Sequence, residues 1–329
     1  MRIAIDAMGG DHAPELIVKG ALEAALEWPD TKLLLVGDTV RIKEHIAGAL
    51  PSNVTIVHAE DVIGPDEEPV KAVRRKKEAS MVVAGRLVRE GEAEAMLSAG
   101  NTGALMTTGL LVVGRIEGIE RPALVYMLPT VNDVGVLALD LGANMDAKPE
   151  HLLQYAIMGS IYRTKVQGLK NPRVGLLNVG TEAMKGNELS KAAYSLLEAA
   201  PINFIGNVES RDVLAHNCDV LVCDGFAGNI MLKTMEGTAG MLFSTLRDTL
   251  TSSFINKIAA SILRSSMQKL RKKMDYKEHG GAPLLGVNGL VIKCHGSSDI
   301  KAVKNGIRQA KIAIESQLIP SIAAEIGRK

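Results

Sequence analysis

Short runs of β-branched and aliphatic residues alternate along the chain with longer segments of helical periodicity, and no other feature narrows the possible folds as far. "RIAIDA" precedes "ELIVKGALEAALEW", "KLLLVGD" precedes "RIKEHIAGAL", "VTIVHA" precedes "VKAVRRKKEASMVVAGRLVREG", and "AEAMLSAG" precedes "GALMTTGLLV". Repeated alternation of this kind predicts an α/β fold, a largely parallel, doubly wound sheet with helices on its faces. "ALVYMLP" and "VGVLALDLG" break the pattern, because the intervening "TVND" is too short for a helix; they predict a hairpin that interrupts the winding. The alternation resumes with "RVGLLNVG", a helix through "ELSKAAYSLLEAA", "NFIGNV", "DVLVCDG", a long helical region from about Ala227, "LVIKCHG" and a closing helix from Ser298. With 329 residues and neither an internal repeat nor a low-complexity linker, the expectation is one catalytic domain over 1–329 built around one cleft. A basic amphipathic helical segment at 250–280 is expected to project from it.

A net charge of +1 supplies no global attraction to nucleic acid, and 3% aromatic residues leave few platforms for stacking bases. Electrostatic recognition must therefore come from local patches. Cys218, Cys223 and Cys294 are an odd set without CxxC spacing; although His216 and His295 lie close to two of them, no four-ligand pattern emerges, and they read as buried thiols of a reducing cytosol. "MRIAIDAMGGDH" runs directly into a strand and lacks the apolar stretch of a signal peptide, and no run approaches the ~20 apolar residues of a spanning helix. The expectation is a protein made soluble.

In open α/β sheets, ligands gather beyond the carboxyl ends of the strands, where glycines let the backbone approach and helix starts present amides. Six such loops carry the unusual residues here: "DAMGGDH" (6–12), "SAGNTGA" (98–104), "DLGANMD" (140–146), "NVGTEAMKGN" (178–187), "CDGFAGN" (223–229) and "KCHGSSD" (293–299). Any one of them is accounted for by turns and caps. Six together, with Asn, Thr, Ser and Lys among the glycines, predict a polar rim suited to an oxyanion, to which a lysine adds a point charge. Neither GxxxxGK[ST] nor GxGxxG occurs, which argues against an ordinary nucleoside triphosphatase or a standard dinucleotide fold.

No nucleophilic triad is evident. Ser98, Ser297 and Ser298 lie near glycines but not in GxSxG, and Cys294 and His295, as strand neighbours, point to opposite faces. His12 and His295 sit in cleft loops, where a satisfied structural imidazole is at least as well supported as an acid–base group. Asp6, Asp11, Asp140, Asp146, Asp224 and Asp299 lack a ligand spacing, so no metal is expected and capping is their default role. In "SSFINKIAASILRSSMQKLRKKM" (252–274), Phe254, Ile258, Ile262, Leu270 and Met274 recur near helical spacing. Lys257, Arg264, Lys269, Arg271, Lys272 and Lys273 supply positive charge. Such a helix either packs on the body or a second subunit, or lies on an anionic bilayer; the basic density at 269–273 favours the anionic membrane surface.

The succession of "IAIDAMGGDHAP", "SAGNTGALM", "DLGAN", "LLNVGTEAMKGN", "CDGFAGN" and "GGAPLLGVNGLVIKCHGSS" resembles the bacterial phosphate acyltransferase family (PlsX) over essentially the whole chain. The resemblance implies a fold similar to isocitrate and isopropylmalate dehydrogenases and to phosphotransacetylases. It further implies transfer of an acyl group from acyl-acyl carrier protein to inorganic phosphate, no metal or nucleotide cofactor, a homodimer, and a cytosolic enzyme that visits the membrane to supply a glycerol-phosphate acyltransferase. Chemically, a phosphate anion attacking a thioester needs no strong base, because thiolates leave readily; it needs charge stabilisation and alignment. On that reading Lys185 holds phosphate and Asn229 polarises the thioester carbonyl. Gly100, Asn101, Thr102 and Gly103, with Gly180 and Thr181, complete the phosphate nest, while Asp6, His12, Asp224 and His295 are further cleft candidates. Phe254, Ile258, Ile262, Arg271, Lys272 and Lys273 are the expected membrane contacts. A phosphotransacetylase-like enzyme acting on short acyl-coenzyme A, a dehydrogenase on the same fold, and a membrane scaffold without activity are the competing expectations.

Overall fold

The computed structural model describes residues 1–274 and 281–327. Its strands are β1 Arg2–Asp6, β2 Lys32–Gly37, β3 Val54–His58, β4 Ala95–Ser98, β5 Ala123–Leu124, β6 Tyr126–Leu128, β7 Val136–Leu139, β8 Arg173–Asn178, β9 Asn203–Glu209, β10 Val220–Val222, β11 Ala282–Leu285 and β12 Leu290–Lys293. They form two sheets, ordered β3-β2-β1-β4-β12-β11-β5 and β6-β7-β10-β8-β9. Within the first, β3, β2, β1, β4 and β12 run parallel and β11 antiparallel; within the second, only the β6/β7 pair is antiparallel. The mostly parallel winding and the hairpin across "TVND" are both present. Strands β4, β7, β10 and β12 are buried along their whole length, as sheets covered on both faces require.

Three local readings change. The segment "VKAVRRKKEASMVVAGRLVREG" forms two helices, Pro69–Arg75 and Ser80–Arg89. They separate where Ala79 leaves the helix to bridge Asp61 and the Lys76 ammonium is drawn onto Glu67 and Asp61. "RIKEHIAGAL" is helical only over its beginning, in Thr39–Lys43. "APLL", unassigned in the sequence, is β11, which pairs with both β12 and β5.

The sheets meet where one apolar run is divided between them: β5 belongs to the first, β6 to the second, and Val125 lies between. Asp140, at the end of β7, locks the junction. Its buried carboxylate accepts the amides of Leu124 (3.1 Å), Ala143 (3.0 Å) and Asn144 (2.6 Å) and the Asn144 side chain (3.0 Å). Burial nevertheless pushes its carboxyl above the usual range, with these donors pulling the other way. The largest apolar cluster draws on both sheets, with Ile3, Ile5 and Leu35 from one and Leu139, Val174 and Val220 from the other. Cys218, Cys223 and Cys294 are buried free thiols.

The helix Gly225–Leu250 leaves the end of β10, capped by Asp224, and only Gly225, Gly228, Met231 and Leu232 of it are buried. Beyond Leu232 the helix is mostly exposed, and it packs with the following helix, Phe254–Met274.

Candidate functional site

Three adjacent parallel strands, β1, β4 and β12, end side by side, so the loops after Asp6, Ser98 and Lys293 converge at one edge of the first sheet. Asp6 organises them. Its carboxylate is buried and accepts the hydroxyls of Ser80 (2.6 Å) and Ser98 (2.6 Å) and the Met8 amide (3.2 Å), while Ser98 Oγ in turn accepts the Gly100 amide (3.0 Å). Burial raises the Asp6 carboxyl despite these donors. A side chain at Gly9 would lie 2.5 Å from Asp6 Oδ2 and 2.8 Å from the Gly100 nitrogen, so only a bare backbone lets the first loop close on the second. The Asp11 amide donates to Gly296 O (2.8 Å), joining the third. Asp6 is thus an anchor beneath the loops, and His12 is exposed on the first of them.

Facing these loops is the start of the helix Gly225–Leu250 from the second sheet. Between them lies a cavity of about 440 Å³, lined by Thr102, Gly103, Tyr126, Leu141, Gly142, Asn229, Lys233, Glu236, Lys293, Cys294, His295 and Ser298 among others. Asn229 reaches it because the helix start is pressed onto the 140–144 loop: Cβ atoms at Gly225 and Gly228 would fall 2.6 Å from Asn144 O and 2.2 Å from Asp140 O. The Asn229 amide has no hydrogen-bond partner among the described residues, and Gly142, at φ 128°, sets no side chain beside it. Asp224 is the cap of this helix, accepting the amides of Phe226 (3.0 Å) and Ala227 (2.9 Å). His295 Nδ1 accepts the Ser297 amide (3.2 Å), which leaves the proton of a neutral ring on Nε2. The Cys294 thiol is pushed up to about 12 by burial, and Tyr126 likewise to about 12. Neither offers an anionic nucleophile near neutral pH.

Of the expected phosphate nest, the structure brings Thr102 and Gly103 to the cavity. Gly100 is tied to Ser98. The Asn101 side chain caps the helix Thr102–Thr108 through the Ala104 amide (3.0 Å), and its amide nitrogen donates to the carbonyls of Gly64 (3.3 Å), Pro65 (2.9 Å) and Glu67 (3.4 Å). Asn101 therefore holds a neighbouring loop rather than presenting a free group.

Lys185, Gly180 and Thr181 are not at this cavity within the chain. Their loop follows β8 and borders a second groove, about 860 Å³, lined by Asn178, Val179, Gly186, Asn187, Asp224, Phe226 and Ile230 among others. The helix Gly225–Leu250 thus has Asn229, Lys233 and Glu236 toward the cavity and Phe226, Ile230 and Thr234 toward the groove. Lys185 is exposed, and the bareness of its turn has an internal cause. Gly186 is at φ 94°, and a side chain there would collide with Ser190 Oγ and Asn178 Oδ1.

The residue that the sequence reading missed is Lys293. It ends the apolar strand β12, is 6% exposed, and lines the cavity. Its signal was a lone lysine closing an aliphatic run just before a glycine loop, a place where burial without a purpose is costly.

The sequence profile of the fatty acid synthesis protein family matches residues 1–321. The chain is 55% identical over 329 residues to a phosphate acyltransferase of Bacillus cereus, covering 100% of this chain and 99% of that one; the same figures hold for a phosphate acyltransferase of Bacillus anthracis. Among solved structures, a phosphotransacetylase from Streptococcus pyogenes superposes with a TM-score of 0.63 at 16% identity, covering 97% of this chain and 94% of that one. A branched-chain phosphotransacylase from Enterococcus faecalis gives 0.58 at 16% identity, covering 95% and 99%. At that identity the two structures speak for the fold alone. The sequence matches speak for more: this chain belongs to the fatty acid synthesis protein family, together with the Bacillus phosphate acyltransferases.

Proposed function

We propose that the chain transfers a fatty acyl group from acyl-acyl carrier protein to inorganic phosphate, releasing acyl phosphate for phospholipid synthesis. The observation that carries the chemistry is the unpartnered Asn229 amide in a cavity shared with Lys293 and the start of the helix Thr102–Thr108. A phosphate oxygen attacks the thioester carbon, the Asn229 amide donates to the oxyanion as it forms, and the C–S bond breaks. The proton of the monohydrogen phosphate ends on the departing thiol, so no external acid is consumed. The test is incubation with palmitoyl-acyl carrier protein and phosphate, scoring release of the free carrier thiol. Turnover of short acyl-coenzyme A thioesters with none of the carrier-protein thioester would assign a phosphotransacetylase-like activity instead.

Lys185 belongs to a different surface, and a homodimer is the reading that gives this surface a purpose. Val179 is 81%, Met184 80% and Phe226 60% exposed, and Ile230 stands beside them, an apolar face that a second copy would cover. Lys185 lies on the loop at its edge and is proposed as the cation that meets an anionic group of the incoming substrates. Lys185→Ala is expected to lower kcat/KM by roughly two- to fivefold, the scale of one solvated charge contact. An unchanged kcat/KM would remove Lys185 from substrate recognition. The two sheets, sharing one apolar cluster, are proposed to act as a single catalytic domain.

Residence in the cytosol with reversible visits to an anionic membrane is proposed on the helix Phe254–Met274, beside a glycerol-phosphate acyltransferase that takes the product. Ile255, Ile258 and Ile262 of this helix are exposed, and no helix among the described residues is long and apolar enough to cross a bilayer. The side chains of Phe254, Arg271, Lys272 and Lys273 lie outside the described residues. Interfacial docking would gain about 0.8 kcal/mol per buried methylene and about 1 kcal/mol per basic residue near the surface. Sedimentation with liposomes of rising anionic content is expected to carry down the wild-type protein, and Ile258→Glu and the double variant Lys272→Glu, Lys273→Glu much less. Equal sedimentation of all three, or loss of the dimer in Ile258→Glu, would assign the helix to subunit packing.

A further inference from the structure

Lys293 is a buried ammonium without a carboxylate. Its Nζ donates to the carbonyls of Ala99 (3.4 Å) and Cys294, and among the described residues no acidic side chain lies within ion-pair distance. Two acceptors leave one of three protons unassigned. The other cation lining the cavity, Lys233, is already paired with Glu236 at 2.9 Å, which also neutralises the carboxylate at that wall. Of the carboxylates whose charge reaches Lys293, Asp6 and Asp11, the buried Asp6 is occupied by Ser80, Ser98 and Met8. Desolvation without a counter-charge is what proteins ordinarily avoid. Here it lowers the proton affinity of Lys293.

The geometry points to Lys293 as the group that binds inorganic phosphate in the cavity, a buried amine at the end of β12 whose missing counter-ion is the nucleophile itself. This rests on the phosphate acyltransferase reading and deepens it. The two carbonyls hold the ammonium in a cavity that Thr102, Gly103 and Asn229 also line. A phosphate held there approaches a thioester carbonyl polarised by Asn229 from within the same enclosed space. Because the ammonium is held by backbone atoms of the 98–100 and 293–296 loops, the cation is set in place before the anion arrives, so little ordering remains to be done on binding.

The experiment uses the full chain and inorganic phosphate as the probe. Thermal unfolding of the wild-type protein is expected to shift upward with phosphate concentration, with no acyl donor present. In Lys293→Met, which keeps length and removes charge, the shift should vanish, while the unfolding midpoint without phosphate stays at or above the wild-type value because an unpaired buried charge has gone. In steady-state turnover the phosphate KM should rise roughly tenfold or more, the scale of losing a hydrogen bond to a charged group, with the acyl-donor KM changed less than about twofold. Should Lys293→Met fail to fold, Lys293→Gln keeps donors for the two carbonyls and carries the same expectation. Phosphate protection of the variant with wild-type concentration dependence, an unchanged phosphate KM, or no protection of the wild type would overturn the assignment. The binding arm needs no acyl transfer. Failure of the wild type to release carrier thiol would therefore sink the functional reading while leaving the phosphate site to be decided by itself.

Discussion

Asn229→Ala is expected to lower kcat by roughly a hundredfold or more while leaving the KM for both substrates within a few-fold, the signature of losing one oxyanion donor. The reasoning starts from what the amide does not do. It has no partner among the described residues, although it is half-buried on a helix whose beginning is pressed against the 140–144 loop. A donor left free at the cavity wall gains most from the position where negative charge develops. Asn229→Asp should be worse than alanine, since it sets an acceptor and a charge where an oxyanion must form. The check is single-turnover release of the carrier thiol at saturating phosphate. A variant whose defect lay wholly in the KM for the carrier-protein thioester would move Asn229 from the chemical step to docking.

Fold and site were legible in the sequence to different depths, for physical reasons. Strands such as "RVGLLN" and "RIAID" declare themselves because buried parallel strands are nearly continuous apolar runs, and the β6/β7 hairpin because four residues cannot hold a crossover helix. Which strands pair is another matter. Nothing in "ALVYML" announces that Val125 separates two sheets, since both halves are apolar and the division is made by Asp140 reaching Leu124 from the end of β7. The loops were found because glycine and polar residues after strands have few other uses. Their members divide on contact with the structure: Asn101, Asp224 and Asp299 are caps, Asp6 is a buried anchor, and Asn229 faces the cavity. Lys185 stood out because its loop is polar and bare, whereas Lys293, which closes an aliphatic strand and opens the "KCHGSSD" loop, was not singled out within it. The first is the better sequence signal, but the second is the cation enclosed with Asn229.

Gly228→Ala is expected to cost several degrees in the unfolding midpoint and to reduce turnover by about a hundredfold, although the residue bears no side chain and touches no substrate. A Cβ placed there would lie 2.2 Å from the Asp140 carbonyl oxygen and 2.7 Å from Cys223 Sγ. The carbonyl cannot yield by rotating a side chain. Its own residue is fixed by four hydrogen bonds that hold the junction of the two sheets. The helix must therefore move, and overpacking of this kind typically costs about 1–3 kcal/mol. A displacement near 1 Å at the next residue, Asn229, is enough to lose about a hundredfold in rate through misalignment. The control is Gly237→Ala, in the same helix, where a Cβ meets no atom within 4 Å. That substitution should raise stability by about 0.5–1 kcal/mol, as an alanine does over glycine inside a helix, with turnover retained. Thermal unfolding and thiol-release kinetics on the pair separate the two ideas. If both glycines respond alike, the cost is one of helix propensity, and the contact between Gly228 and Asp140 does not set the position of Asn229.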